Sequence, residues 1–322
     1  MFKELAFTPF VFDEAFNVSN RRWAESLSEM ARFLFPLQSP CTCLVSNLHK
    51  SNWLPIALEK LSNCTDHSLK VFLQQFFTKV NDYLVERPSV TDFVYPGGND
   101  DMWADEALQS SQTHGEIDKI FTCHETAQGQ DNFFVVREFL SESFIKTLMV
   151  KNFVPMVIDE QIARLKQLCL HAGYISLSSA YLHSSELDFA KELIKRAGSR
   201  PSNFSNVVID LHIQAPESKE DTSNRVNNMC NYLRDNILPK TTVKICVWKG
   251  IRERVMLAGD QTTVSGQLRF KPRWGINTNH IARSGENDVD DKTRWSVMEK
   301  NEIIHWNNIY YQSEPVLGPL NV

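Results

Sequence analysis

The fold is decided by three apolar runs in the second half of the chain, GYISLSS (173–179), NVVIDLHI (206–213) and TVKICVW (242–248). Each is rich in residues that favour β-strands. Helical patterns separate them, at 184–198 and at about 220–237. Alternating strands and helices with short connections predict a mostly parallel, helix-covered sheet.

Further patterns flank this alternation on both sides. A helix is predicted at about 158–172, and an apparent helix surrounds Trp306 before the turn-like EPVLGP. Strands are predicted for RVMLAG (254–259), TTVSGQLRF (262–270) and GINTNHI (275–281).

The N-terminal half also mixes helix and strand patterns. The predicted elements are helices at 18–35 and 67–86 and from near Asn99, and strands at 42–48, 90–95, 119–124 and 132–139. We therefore predict the α/β fold class, with a mixed α/β domain over 1–150 and a second α/β sheet domain over 151–322.

Composition predicts a soluble globular protein, because 42% of the 322 residues are hydrophobic and 23% are charged. The start, MFKELAFTPF, lacks the apolar region of a signal peptide, and no run is long and apolar enough to predict a membrane span. Seven scattered cysteines without a C-x2-C pair indicate reduced thiols in the cytoplasm and no zinc module. We expect no metal and no cofactor.

Positive charge is concentrated in one place although the net charge is −5. Residues 241–283 carry eight Lys or Arg and two acids. Such a segment suits a partner that bears phosphate groups.

The run Arg252-Glu-Arg254-Val-Met-Leu-Ala-Gly-Asp260 follows the third strand and precedes a Gly-containing strand and the tail WNNIYYQSEPVLG. With this order of elements, the part from about residue 150 onward resembles the phospholipase D-like superfamily, in the single-motif branch that includes MIT C-terminal domains and proteins of bacterial defence islands. The resemblance implies a phospholipase D-like sheet domain and a role in bacterial anti-phage or anti-plasmid defence. It also implies a homodimer for catalysis, since each chain carries one motif.

That branch has the pattern H-x-R-hydrophobic-x-x-x-D at this position. Arg254 stands where the phosphate-holding cation belongs, but Arg252 replaces the histidine, and Asp260 stands one residue beyond the acid position. A guanidinium cannot be deprotonated to attack phosphorus. The changes predict phosphate binding without the usual hydrolysis. If both arginines lie on a strand, they share a face and clamp a phosphate; the alternative is that they pair with carboxylates.

The run RFKPRWG (269–275) alternates cations with aromatic residues. The cations suit a nucleic-acid backbone and the Trp274 ring suits stacking on a base. The alternative is an exposed basic hairpin whose rings pack inward. The predicted nucleic-acid-binding residues are Arg252, Arg254, Arg269, Lys271, Arg273, Trp274 and Arg283.

His212 is a possible replacement nucleophile, since it shares a strand face with Asp210. This requires its strand to lie next to Arg254, and the alternative is a histidine satisfied in the core. His280 is a further candidate by the same reasoning. The candidate catalytic residues are His212, Arg254 and Asp260.

An acidic group stands at the start of the predicted helix near Asn99. Its members could hold Mg²⁺ in a PIN-like nuclease site with Asp13 or Asp92. The alternative is that they cap the helix and complement its dipole. The group consists of Asp100, Asp101, Asp105 and Glu106.

The expected function is therefore binding of DNA or RNA by a protein with a degenerate active site. One alternative is an active nuclease or phosphodiesterase. Another is a protein-binding scaffold subunit in a multi-protein complex, with the basic hairpin on an acidic partner.

Overall fold

The computed structural model describes residues 2–13, 21–35, 41–92, 98–123, 133–135, 153–215, 219–264 and 267–322. The chain divides into two compact units, Phe2–Val150 and Lys151–Val322. Each unit combines helices with a β-sheet, so the protein has the α/β fold that the sequence predicts.

The N-terminal unit contains a parallel sheet in the order β3-β2-β1-β4-β5. Its central strand was not predicted, because the apolar run MFKELAF is interrupted by Glu4. The Glu4 carboxylate is buried, and it accepts bonds of 2.6 and 2.8 Å from the Arg87 guanidinium and of 2.6 Å from the Ser46 hydroxyl. The strands are β1 (Lys3–Phe7), β2 (Cys43–Asn47), β3 (Leu84–Glu86), β4 (Lys119–Thr122) and β5 (Phe133–Val135).

Helices lie between the first four strands along the chain, as parallel pairing requires. The predicted helix at 67–86 ends at Val80, because the chain then enters β3. Residues 90–92 of the predicted strand at 90–95 are not in a strand, and 93–95 lie outside the described residues. The helices are α1 (Arg21–Leu34), α2 (Leu48–Ser51), α3 (Trp53–Ser62), α4 (His67–Val80) and α5 (Asp100–His114).

The C-terminal unit contains a seven-stranded sheet in the order β13-β11-β10-β7-β8-β9-β14. Of its six neighbour pairs, two are parallel and four are antiparallel, so the prediction of a mostly parallel sheet is wrong. The strands are β7 (Tyr174–Ser178), β8 (Val207–Gln214), β9 (Thr241–Trp248), β10 (Val255–Val264), β11 (Gln267–Asn277), β13 (Ser296–Val297) and β14 (Leu317–Asn321). A separate antiparallel pair joins β6 (Phe153–Val157) to β12 (Asn287–Arg294).

Three of the four antiparallel pairs involve one long hairpin. The three strands predicted between 254 and 281 are in fact two, β10 and β11, which pair along their whole length. A bulge lies between Ala258 and Gly259, where a Cβ on Gly259 would come within 2.1 Å of the Lys271 carbonyl oxygen. Only glycine fits there.

The two faces of this sheet differ in character. Because side chains alternate along a strand, Ile209 and Leu211 face one side while Asp210 and His212 face the other. The helix α10 covers the second face through the aromatic ring of Tyr310. The helices of this unit are α6 (Ile158–Arg164), α7 (Lys166–His171), α8 (Leu187–Gly198), α9 (Lys219–Arg234) and α10 (Lys300–Gln312).

Candidate nucleic-acid interface

Two of the predicted arginines, Arg252 and Arg254, lie at the edge formed by the carboxyl ends of the parallel strands of the C-terminal sheet. Strand β10 begins at this edge, because Val255 pairs with Ser178 at the end of β7. Arg252 and Arg254 occupy the loop that leads into β10, so the prediction that they share a strand face is wrong. The loop reaches this position because β10 runs antiparallel to β7.

Arg254 is held inside the protein. Its Nε donates to the Glu186 carboxylate at 2.8 Å, and its Nη1 donates to the carbonyl oxygen of Asn279 at 3.3 Å. Glu186 is fully buried and also accepts a bond from the Ser179 hydroxyl. The alternative interpretation, in which the arginine pairs with a carboxylate, therefore holds for Arg254. Arg254 links two loops of the protein and does not form a phosphate clamp with Arg252.

Arg252 and Arg283 are exposed at the same edge. The loop that carries Arg283 is attached there, since the Ser284 amide donates to the Ser185 carbonyl at 2.8 Å. Tyr181 lies over the Arg254 guanidinium at 5.0 Å, and 47% of the tyrosine is exposed. We call Tyr181, Arg252, Arg254 and Arg283 the loop cluster.

A second cation contact orders the same loop. The Arg225 guanidinium lies 2.7 Å from Nε2 of His183, two residues after Tyr181. Burial and the Arg225 charge lower the pKa of His183 below its ordinary value. The histidine is therefore neutral at physiological pH and accepts the bond from Arg225 through Nε2.

The cations of the hairpin lie at the opposite edge of the sheet. Arg269 pairs with Thr262, eight residues along β10 from Arg254, which corresponds to about 27 Å. Arg269 and Lys271 are exposed, while Arg273 lies 3.4 Å from the Asp260 carboxylate. The structure therefore divides the single site that the sequence predicted into two. We call Arg269, Lys271 and Arg273 the hairpin cluster.

The predicted stacking ring is not available for a base. Trp274 is 1% exposed, because its strand position pairs with Ala258 on a covered face of the sheet. Phe270 is stacked on Tyr174 at 4.2 Å. The rings of the hairpin pack inward, as the alternative interpretation held. Tyr181 is the ring that sequence reasoning missed; its place directly after a parallel strand was the available signal.

The hairpin cations have a structural explanation. Among the described residues, β13 pairs with β11 at Ile276 and Asn277, which leaves the rest of β11 as an edge. Pro272, the bulge and outward-pointing basic side chains are features that prevent an edge strand from pairing with another chain. The basic pattern of the hairpin is thus accounted for without a ligand.

His212 does not lie in an open site. Strand β7 separates its strand from β10, so the condition for replacing the nucleophile beside Arg254 is not met. The side chain is 1% exposed, stacks on Tyr310 at 4.5 Å and accepts a 2.9 Å bond from Trp248 Nε1. Burial lowers the pKa of His212 to about 3. His280 is exposed and follows β11.

Asp210 lies beside Ser176 and Lys244 on the face that α10 covers. It is 5% exposed, and among the described residues its Oδ1 has no hydrogen-bond partner. Burial raises the pKa of Asp210 to about 6, against the opposing effect of the Lys244 charge. The folded state therefore disfavours the ionised carboxylate.

The N-terminal acids have separate roles. Asp100 is buried and accepts from the Thr8 hydroxyl and, at 3.0 Å, from the Cys123 amide. Glu106 is buried and accepts from the amides of Val90 and Thr91 at 3.0 and 2.7 Å.

The other acids of the proposed metal site do not join these two. Asp101, Asp105 and Asp92 are exposed, and Asp13 forms an ion pair with Lys60 at 2.8 Å. In the described part of the chain, no three His, Cys, Asp or Glu side chains form a group able to hold a metal ion. The cap of α5 is Asn99, whose side chain accepts a bond from the Met102 amide at 2.9 Å. Asp100 and Asp101 lie in the first turn, where their charge complements the helix dipole, so the structure supports the dipole half of the alternative interpretation.

No protein-family model matches the chain, and no curated protein matches it either. The phospholipase D-like resemblance therefore stays a prediction. Within the described ranges, no helix combines the length and apolar composition needed to cross a membrane.

Proposed function

We propose that the C-terminal unit binds the phosphate backbone of nucleic acid at the loop cluster and does not hydrolyse it. The observation that carries this proposal is the pair of exposed guanidinium groups, Arg252 and Arg283, at the carboxyl edge of the parallel strands. Ligands of open α/β sheets bind in the crevices at this edge. Arginine is suited to phosphate because its planar fork matches two phosphate oxygens.

The candidate nucleophiles are not placed to attack a phosphate bound at the loop cluster. Arg252 occupies the histidine position of the motif and cannot attack phosphorus. His212 is buried beneath Tyr310 and is separated from the loop cluster by β7. Asp260 lies beside Arg273 on the hairpin, where it cannot orient a histidine at the loop.

The test compares the two basic clusters of the same protein. Labelled single-stranded oligonucleotide is titrated with wild type, with Arg252→Ala/Arg283→Ala and with Arg269→Ala/Lys271→Ala, at several salt concentrations. Each phosphate contact contributes about 0.7 to the slope of log affinity against log salt for single strands, so the loop variant should lose about 1.4. The hairpin variant, which removes the same charge, should keep the wild-type slope.

Two results would overturn the proposal. One is a slope that falls in the hairpin variant and not in the loop variant. The other is no binding by wild type at low salt. Gel analysis of the same mixtures tests whether the bound nucleic acid is hydrolysed. Cleavage with or without magnesium would contradict binding without hydrolysis. Membership of the phospholipase D-like superfamily and a role in bacterial defence remain predictions of the sequence.

A further inference from the structure

Tyr181 presents a ring that has a fixed position and an open face. The Arg254 guanidinium lies at 5.0 Å from the ring centroid, while 47% of the residue is exposed. Large apolar side chains at the surface of a site are places where a ligand can bury area. The chemistry of a tyrosine ring over a cation is suited to a flat, π-bonded partner.

The ring is held before any ligand arrives. Arg254 is fixed by the buried Glu186 carboxylate at 2.8 Å and by the Asn279 carbonyl at 3.3 Å. The backbone of Tyr181 is fixed as well: its amide donates to the Ser179 hydroxyl at 3.2 Å, and its carbonyl accepts from the Glu186 amide at 3.2 Å. A platform ordered in advance reduces the conformational entropy that binding must overcome.

This geometry distinguishes between paired and unpaired nucleic acid. In a duplex each base is stacked between its neighbours, so its faces are closed to a protein ring. An unpaired base can stack on an aromatic side chain whatever its identity, since every base has a π-face. Arg252 and Arg283 are exposed at the same edge of the sheet, where they supply positive charge for the phosphates of such a strand.

We propose that the ligand of the loop cluster is single-stranded nucleic acid, one base of which stacks on Tyr181. This inference rests on the proposed function and adds the strandedness of the ligand. Arg254 acts here as a positioning residue, because it holds the ring and is itself held by Glu186.

The protein offers a matched control for the ring. Tyr232 is 41% exposed and also contacts a cation, with the Lys191 ammonium 5.3 Å from its centroid. Its hydroxyl is bonded to Asp188 on α8, a carboxylate that also accepts a bond from Ser284 beside Arg283. Replacing Tyr232 therefore removes an exposed ring over a cation and leaves the Tyr181 ring and its contact with Arg254 in place.

The experiment measures affinity by fluorescence anisotropy for three ligands: a short oligothymidylate, an abasic strand of the same length, and a blunt duplex. The proteins are wild type, Tyr181→Ala, Tyr181→Leu, Tyr181→Phe and Tyr232→Ala. Loss of base stacking should weaken binding of the oligothymidylate by about 5-fold to about 150-fold in the alanine and leucine variants. Tyr181→Phe and Tyr232→Ala should bind as wild type does, and no variant should change affinity for the abasic strand.

The leucine variant lacks the aromatic ring but retains an apolar side chain over Arg254. It therefore tests base stacking even if the alanine variant folds poorly. The inference is overturned if both the alanine and leucine variants bind oligothymidylate as wild type does, if they lose abasic affinity equally, or if wild type prefers the duplex. The proposed function fails separately, when Arg252→Ala/Arg283→Ala leaves the affinity for the abasic strand unchanged.

Discussion

Replacing Asp210 with asparagine should stabilise the protein at neutral pH. Asp210 is 5% exposed, and burial raises the pKa of its carboxyl from 3.8 to about 6. The folded chain therefore holds a proton on this group in a pH range where the unfolded chain has lost it. Stability conferred by the protonated form is complete below pH 4 and is lost as the pH rises through 6.

The magnitude follows from the size of the shift. A difference of about two pKa units corresponds to about 3 kcal/mol of unfolding free energy at pH values above 6. Asparagine has the shape of the carboxyl group and no charge. Asp210→Asn should therefore unfold with about 3 kcal/mol more free energy than wild type near pH 7.5, and with equal free energy near pH 4.

Urea unfolding followed by tryptophan fluorescence at both pH values measures the difference. Asp291→Asn, an exposed position on β12, serves as the control and should stay within about 0.5 kcal/mol at both. The reasoning is refuted if Asp210→Asn is equal to or less stable than wild type near pH 7.5. That result would mean that the Lys244 charge outweighs the cost of burying the carboxylate.

Arg254→Ala should cost about 3–5 kcal/mol in urea unfolding, because it leaves the buried Glu186 carboxylate without its cation, whereas Arg252→Ala should cost less than about 0.5. Equal costs would contradict the structural role of Arg254. Arg87→Ala should likewise cost about 3–5 kcal/mol, since it leaves the buried Glu4 carboxylate without its cation, and a stability near wild type would contradict this. His212 resists protonation when folded, so its stabilising contribution falls as the pH drops from 6.5 towards 3. His212→Phe should therefore gain about 3 kcal/mol relative to wild type between pH 7 and pH 4, and parallel pH profiles of unfolding free energy would argue against it.

Elements whose pattern is local were predicted closely. The predicted strands at 206–213 and 242–248 correspond to β8 and β9, which extend over Val207–Gln214 and Thr241–Trp248. The apolar runs and the short connections beside them are enough to predict where these two strands begin and end. The helix predicted at about 158–172 is divided at Leu165 into α6 and α7.

Elements that depend on distant partners were missed. Strand β1 carries Glu4 as its second residue, and the charge is buried there because Arg87, 83 residues away, and Ser46 bond its carboxylate. Strand β14 has the sequence LGPLN, which reads as a turn from its glycine and proline. An edge strand tolerates both, and β14 pairs on one side with β9.

In the candidate site, too, sequence predicted the local features and missed those that depend on distant contacts. The motif singled out Arg252 and Arg254, but sequence spacing could not show that both lie in a loop or that Arg254 pairs with Glu186 from another loop. The choice of stacking ring failed for Trp274 because its burial is set by the bulge and the register of the hairpin. Tyr181 follows a parallel strand in the sequence, but its contact with Arg254 depends on how the loop after β7 folds.

The edges of the seven-stranded sheet also restrict how copies of this chain can associate. Each side of the sheet carries a proline in a strand that lacks a partner along part of its outer edge within the described residues, Pro272 in β11 and Pro319 in β14. A proline cannot donate the main-chain bond that a strand from a second molecule would need. Pro272 and Pro319 therefore each interrupt the main-chain pairing by which this sheet would extend into a second molecule, which disfavours growth of the sheet into a filament.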